Sequence, residues 1–255
     1  MQSMSIGHMS WTEYREYAEH NDMIIIPLGV TEEHGPHNPL GTDYFAAEAA
    51  AKLIGEKTGV AVAPMLPFGV SPGVMGFPGS ITIDPMLYQK IIMAYCESYI
   101  RTGIKRILFI NGHGGNDDVL SLVCQNLYCL HKVVAIHNEW WEILPDLDKE
   151  MSCADHGGYF ETSLMLAVKP EAVDMSKAMD CPSVSELTSG ITYAKGWRFK
   201  DARINVPVTL DIVQKVGNAG LSPLKANAGL GEEMMKKYVD YNVELIAEMK
   251  KINFV

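Results

Sequence analysis

The sequence predicts an α/β layered fold with a largely parallel central sheet. Two features point there. Strand-like apolar runs alternate with helix-like amphipathic stretches along the chain. The first run, Asp22 to Gly29, is rich in Ile and shows no period-two alternation, the mark of a strand covered on both faces. With 255 residues, 47% hydrophobic and 20% charged, the chain is too apolar for disorder and carries no linker or repeat. Single α/β domains reach this length, so one domain over residues 1–255 is expected.

The elements follow in order. Ser10-Trp11-Thr12-Glu13 is a capping box that opens a helix to about His20. The Asp22–Gly29 strand leads to a helix from Tyr44 to about Thr58, closed by Gly59. Val60 to Leu66 reads as the next strand. Gly69 to Gly79, with Gly at 69, 73, 76 and 79 and Pro at 72 and 78, must be loop. Asp84-Pro85 starts a helix that runs to Gly103. Then come a strand at Ile107–Ile110, a helix at Asp117–Leu130 and a strand at Val133–Ile136. Gly158–Val168 and roughly Gly229–Lys250 are helical, and Pro170 to Ala226 is irregular with only short elements.

Composition narrows the partners. A formal charge of −10, from 31 acidic and 21 basic residues without a Lys/Arg run, argues against nucleic acid or anionic lipid. It suits a small neutral or cationic substrate, or a bound metal. The longest apolar stretches, such as Met23-Ile24-Ile25-Ile26, are too short to cross a bilayer. No signal peptide is visible at the N-terminus. Five scattered cysteines without a CxxC read as free thiols in a reducing compartment, so a cytoplasmic protein is expected.

Chemistry in such a sheet collects beyond the carboxyl ends of the strands, where two polar clusters fall, and a third precedes a helix. The first is Thr31-Glu32-Glu33-His34-Gly35-Pro36-His37 with Leu40-Gly41-Thr42-Asp43. Its oxygen and imidazole donors suit Zn²⁺ or Mn²⁺. Glu32 and His34, two apart in extended backbone, project the same way, and the Gly35-Pro36 turn lets Asp43 return to them. The competing role for Asp43 is to cap the next helix. The second cluster is Asn111-Gly112-His113-Gly114-Gly115-Asn116, between a strand and a helix. A phosphate loop competes here, but GxGxxG and GxxxxGKS are both missing, so His113 is read as a further metal ligand. The third is Asp155-His156-Gly157-Gly158-Tyr159-Phe160-Glu161. Glu161 shares a helical stripe with Leu164, Met165 and Val168 and should face inward, where a carboxylate needs a partner or a metal. The alternative is that it only stabilises its helix N-terminus. Asp155-His156 suits proton transfer. Trp141 is a candidate pocket wall with core packing as the competing reading, and Tyr159 a candidate substrate contact. No serine elbow or Cys-His pair offers a nucleophile.

Together these clusters resemble the creatininase (creatinine amidohydrolase) family. The resemblance runs from about Ser10 to Met175. It rests on Pro27-Leu28-Gly29-Val30-Thr31-Glu32-Glu33-His34-Gly35-Pro36-His37, Leu40-Gly41-Thr42-Asp43, Phe77-Pro78-Gly79-Ser80, Asn111-Gly112-His113-Gly114-Gly115-Asn116 and His156-Gly157-Gly158-Tyr159-Phe160-Glu161-Thr162-Ser163. It implies a three-layer α/β/α sandwich, two divalent ions (zinc or manganese, with iron as a further option) and a homohexamer built as a trimer of dimers. By the same resemblance Glu32, His34, Asp43 and His113 match metal ligands, with Asp43 bridging, and Asp155-His156 falls where creatininase has a proton-shuttling Glu-His pair. The sequence departs from creatininase at Gly114-Gly115, where that enzyme has Tyr-Glu and the Glu binds metal, and at Ser152, where it has Trp. Glu161 is the expected replacement ligand, and Gly114 and Gly115 are expected near the substrate.

The function expected is hydrolysis of a C–N bond in a small amide, with a cyclic one as the leading expectation. A hydroxide held between two ions would attack the carbonyl while His156, oriented by Asp155 or by backbone, protonates the leaving group. His37 would support a ligand, and the Gly69–Gly79 loop would close over the substrate. The rivals are a C–C hydrolase of a cyclic diketone, a non-catalytic metal-binding homologue and a phosphate binder.

Overall fold

The structure is a computed structural model that describes residues 4–144, 155–180, 186–188, 190–193, 197–206, 208–213 and 215–253. Ser152, Cys153 and Cys181 lie outside the described residues.

Four parallel strands form the central sheet: β1 (Met23–Leu28), β2 (Ala61–Val62), β3 (Arg106–Asn111) and β4 (Val134–Glu139), in the spatial order β2-β1-β3-β4. Every residue of β1 and β3 is buried, which explains their lack of alternation: both faces of these strands are covered. Met23, Ile25, Leu108 and Ile110 face a core closed by α2 (Thr42–Thr58), α6 (Tyr159–Val168) and α8 (Ala228–Met249). Ile24, Ile26, Ile107 and Phe109 face a second core closed by α3 (Pro85–Ile100) and α4 (Asp117–His131). Two cores on opposite faces of one sheet make the three layers.

The peripheral elements are α1 (Trp11–His20), the single turn α5 (Trp140–Ile143) and the single turn α7 (Leu210–Val213). The expected capping box at Ser10 is formed, with Glu13 and Ser10 exchanging bonds. A small antiparallel sheet of β5 (Glu186–Thr188), β6 (Ile191–Tyr193), β7 (Trp197–Phe199) and β8 (Ala202–Arg203) occupies part of the segment read as irregular. The second strand is shorter than expected, two residues in place of Val60–Leu66. Pro64 removes a backbone donor from that stretch, and only an isolated bridge, Leu28 to Leu66, follows it. Strand β4 is longer, running on to Glu139.

The strand order matters for function. In a sheet wound β2-β1-β3-β4, the connections leave β1 and β3 toward opposite faces, and a crevice opens beyond their carboxyl ends. The segment after β1 carries Glu32 and His34, and the segment after β3 carries His113.

Candidate metal centre

The residues of the three clusters, spread over 130 positions of the sequence from 32 to 161, meet in that crevice. Glu32 is fixed from both sides. Its backbone N–H donates to Leu40 O at 2.9 Å, and the Ser71 hydroxyl donates to its Oε2. Asp43 stands in the first turn of α2, buried, and its side chain turns to the crevice in place of capping the helix, whose N-cap residue is Gly41. His34 Nε2 lies 2.8 Å from Asp43 Oδ1, 3.5 Å from Glu161 Oε2 and 3.8 Å from Glu32 Oε1. His113 Nδ1 lies 2.9 Å from Asp43 Oδ2 and 3.3 Å from Glu32 Oε1. Glu161, 9% exposed, faces inward from the first turn of α6 and also accepts from Gly157 N at 2.6 Å.

These contacts form three groups of possible ligand atoms. Glu32, Asp43 and His113 make one, His34, Asp43 and Glu161 the second, and Glu32, His34 and His156 the third, so that Glu32, His34 and Asp43 each belong to two. The imidazoles are oriented for such use. His34 Nδ1 meets the carbonyl of Glu32 at 3.1 Å, and His113 Nε2 meets the carbonyl of Val70 at 3.0 Å. A carbonyl only accepts, so each of these nitrogens carries a proton, and the opposite nitrogen faces the carboxylates. Asp43 Oδ2 is buried without a hydrogen-bond partner although His113 Nδ1 is 2.9 Å away: the approach is close but not aligned as a hydrogen bond.

The charge balance has the same sense. Burial alone would lower the pKa of His34, yet Asp43, Glu161 and Glu32 raise it well above the usual imidazole value. His113 behaves likewise, its burial outweighed by Asp43 and Glu32. Burial pushes the Glu161 carboxyl up, and His34 and His156 only partly offset it. Three carboxylates share two imidazoles in a buried space, so the group lacks positive charge. Divalent cations would supply it, and the donor set of carboxylate oxygens and imidazole nitrogens fits Zn²⁺ or Mn²⁺.

His156 belongs to the third group, its ring 4.5 Å from that of His34. Its Nε2 is 3.1 Å from Glu33 Oε1, and its Nδ1 faces Glu32 Oε1 at 3.7 Å. Glu33, not Asp155, is therefore the carboxylate that orients this imidazole. Asp155 Oδ2 accepts from the backbone N–H groups of Phe160 and Glu161 at 3.0 and 3.1 Å, and so anchors the start of α6. Its Oδ1 is buried without a hydrogen-bond partner. Backbone pairing of His156 with Ala219, at 2.9 and 2.7 Å, holds the loop in place. Gly157 turns it at φ +58°, with its Cα hydrogens against the His34 carbonyl, where a Cβ would collide.

The remaining expected positions divide. His37 Nε2 meets Thr162 Oγ1 at 2.9 Å and so supports α6 beside Glu161. Gly115 packs against Val70 O and the His113 ring so closely that no side chain fits, which is why a glutamate cannot stand here. Gly114 is open: a Cβ there would meet only Trp141, at 3.7 Å. Trp141 thus borders the Gly114 side of the crevice. Tyr159 packs against the core with Phe160, at 5.0 Å between ring centroids. The sequence reading missed Glu33 and Ser71. Glu33 alternates away from Glu32 and His34 in extended backbone, and only the fold brings His156 to it. Ser71 had no local signal. It belongs to the glycine loop expected to close over substrate, whose residues Val70 and Ser71 brace His113 and Glu32.

A family profile described as creatinine amidohydrolase (creatininase) matches residues 7–246. The chain belongs to the creatininase family. It is a metal-dependent hydrolase of that family. Creatinine amidohydrolase of Pseudomonas putida is 29% identical over 203 residues, 71% of this chain and 77% of that protein. A mycofactocin precursor peptide peptidase of Mycolicibacterium smegmatis is 34% identical over 158 residues, 59% of this chain and 60% of that one. A 3-dehydro-scyllo-inosose hydrolase of Thermotoga maritima is 28% identical over 192 residues, 71% and 61%. The chain thus aligns with about three fifths of the latter two. A crystal structure of creatininase superposes with TM-score 0.81 at 24% identity, over 99% of this chain and 100% of that one. A manganese creatininase and a mutant of Zn–Zn type each give 0.79 at 24%, over 97% and 98%. At that identity the likeness speaks to the fold alone.

Proposed function

We propose that this chain hydrolyses the C–N bond of a small amide at a centre of two divalent cations. Glu32, Asp43 and His113 would hold one ion and His34, Asp43 and Glu161 the other, with Asp43 common to both. The observation that carries the reading is the pair of imidazoles whose outer N–H groups are tied to backbone carbonyls, at 3.1 and 3.0 Å, so that both inner nitrogens are offered to the shared carboxylates. Zinc or manganese suits this set, in keeping with the Zn–Zn and manganese forms of creatininase, and iron is also accepted by such donors.

When bound, such ions polarise a carbonyl and make water acidic enough to ionise near neutral pH. The protein's own groups do the rest. Glu33 holds His156 with its Nδ1 toward the crevice, where it carries a proton to the leaving nitrogen. Ser71 and the Val70 carbonyl keep Glu32 and His113 in place. Gly114 and Trp141 border the space for substrate. The whole chain acts as one domain, and the family resemblance brings a cytoplasmic homohexamer. The free thiols of Cys96, Cys124 and Cys129 suit that compartment.

The same residues serve a carbon leaving group, and the Thermotoga relative named for an inosose hydrolase keeps that second reading open. The test is metal content of the purified protein together with turnover of creatinine, cyclic and linear amides, short peptides and a cyclic diketone, before and after chelation. Stoichiometric metal and chelator-sensitive amide cleavage support the proposal. Substoichiometric metal with chelator-insensitive turnover refutes it, and turnover of the diketone alone replaces amide cleavage by C–C cleavage.

A further inference from the structure

A separate set of metal-ligating side chains lies at the edge of the sheet. His137 and Glu139 sit two apart on β4, so both side chains leave the strand on one face, toward α4. Asp117 opens α4 above them. One ligand atom from each of Asp117, His137 and Glu139 lies within 4.8 Å of the others, and none of the three belongs to the centre described above. Glu139 is buried and the other two are half-buried.

The imidazole is held from both sides. His137 Nε2 pairs with Ser121 Oγ at 3.1 Å, while Nδ1 faces Glu139 Oε1 at 2.8 Å. Asn111 orders the carboxylates, its Nδ2 donating to Asp117 Oδ1 at 2.7 Å and reaching Glu139 Oε1 at 3.5 Å. Two carboxylates therefore face one imidazole, and among the described residues no lysine or arginine pairs with either of them. Even with His137 protonated the group keeps a net negative charge.

We propose that Asp117, His137 and Glu139 form a peripheral site for one further divalent cation of the Mn²⁺ or Zn²⁺ class, bound by one nitrogen and two carboxylates. Mixed donors of this kind favour those ions over Mg²⁺ or Ca²⁺. Asn111 joins the site to the central one. Its Oδ1 accepts from the His113 N–H at 3.3 Å, and its Nδ2 also donates to the His113 carbonyl at 2.8 Å. A cation that draws Asp117 and Glu139 together fixes Asn111, and with it the backbone that presents His113. The proposal stands apart from the hydrolase reading, because it uses other ligands and can be tested without turnover.

The experiment is a crystal of the full chain soaked in Mn²⁺, with anomalous data at the manganese edge, and calorimetric titration of Mn²⁺ into metal-free wild type, Glu139→Gln and Asp117→Asn. The expected results are an anomalous peak among the three side chains and one Mn²⁺ equivalent fewer in each variant. No peak there when the central ligands are saturated, or equal stoichiometry in wild type and folded variants, overturns the proposal. Should both variants fail to fold, the peak in wild-type crystals decides it.

Discussion

Asp43 gives the sharpest test of the two-ion arrangement, because it is the residue common to the two triads proposed to hold the ions. Each triad offers three protein ligands, so removing His113 or His34 takes one ligand from one ion, while removing Asp43 takes one from each. Loss of a supporting residue typically weakens metal binding by about 10–100-fold. Loss of a direct ligand should exceed the upper figure, which is about 2.8 kcal/mol at ~1.4 kcal/mol per decade. His113→Ala and His34→Ala should then each retain one equivalent fewer than wild type after dialysis, and Asp43→Ala two fewer. The fold should survive His113→Ala, since its ring gives up chiefly the 3.0 Å bond to Val70 O, a loss of about 1 kcal/mol. Elemental analysis by mass spectrometry after dialysis against a weak chelator measures the stoichiometry, and circular dichroism verifies folding. If Asp43→Ala loses only as much metal as His113→Ala, Asp43 does not span two ions and the shared-ligand argument fails.

Three further expectations follow from neighbouring contacts. Glu33→Gln removes the charge that orients His156 through the 3.1 Å contact and should lower kcat by roughly 10–100-fold with metal content unchanged, taking the scale from supporting residues of metal sites; unchanged kcat would show that His156 needs no such partner. Ser71→Ala takes away the hydroxyl donor to Glu32 and should weaken the ion held with His113 by about tenfold while sparing the one held with His34, as read by metal titration. Gly115→Ala places a methyl against Val70 O and the His113 ring, an overpacking that should destabilise the fold by about 1–3 kcal/mol in urea unfolding. A variant as stable as wild type would mean that this loop yields easily and that the tight contact has no structural weight.

Much of the fold was legible because burial on both faces leaves a plain trace in β1 and β3, an Ile-rich run and a run of four apolar residues, with no polar position to interrupt them. Helix boundaries at Ser10, Gly59 and Asp84 were legible because capping is local chemistry. The extent of β2 was not, since Val60 to Leu66 is apolar throughout and apolar character does not say where pairing stops. Within the site, Glu32, His34, Asp43, His113 and Glu161 stood out from their residue types and from their positions at strand ends. His156 stood out too, but the carboxylate at its Nε2 is Glu33 and not its neighbour in sequence, Asp155. An adjacent residue is a poor guide when backbone direction decides which way it points: Asp155 meets the amides of α6, while Glu33 reaches His156 across 123 positions.

The sequence by itself determined the layer architecture and the donor types, because hydrophobic periodicity, caps and side-chain chemistry are properties of short segments. The tertiary structure alone decided that one aspartate serves two triads, that His34 and His113 are held by the Glu32 and Val70 carbonyls, and that His137, Glu139 and Asp117 gather beyond them. Those facts depend on strand order and helix placement, which set the distances between residues far apart along the chain, and no local pattern encodes such distances.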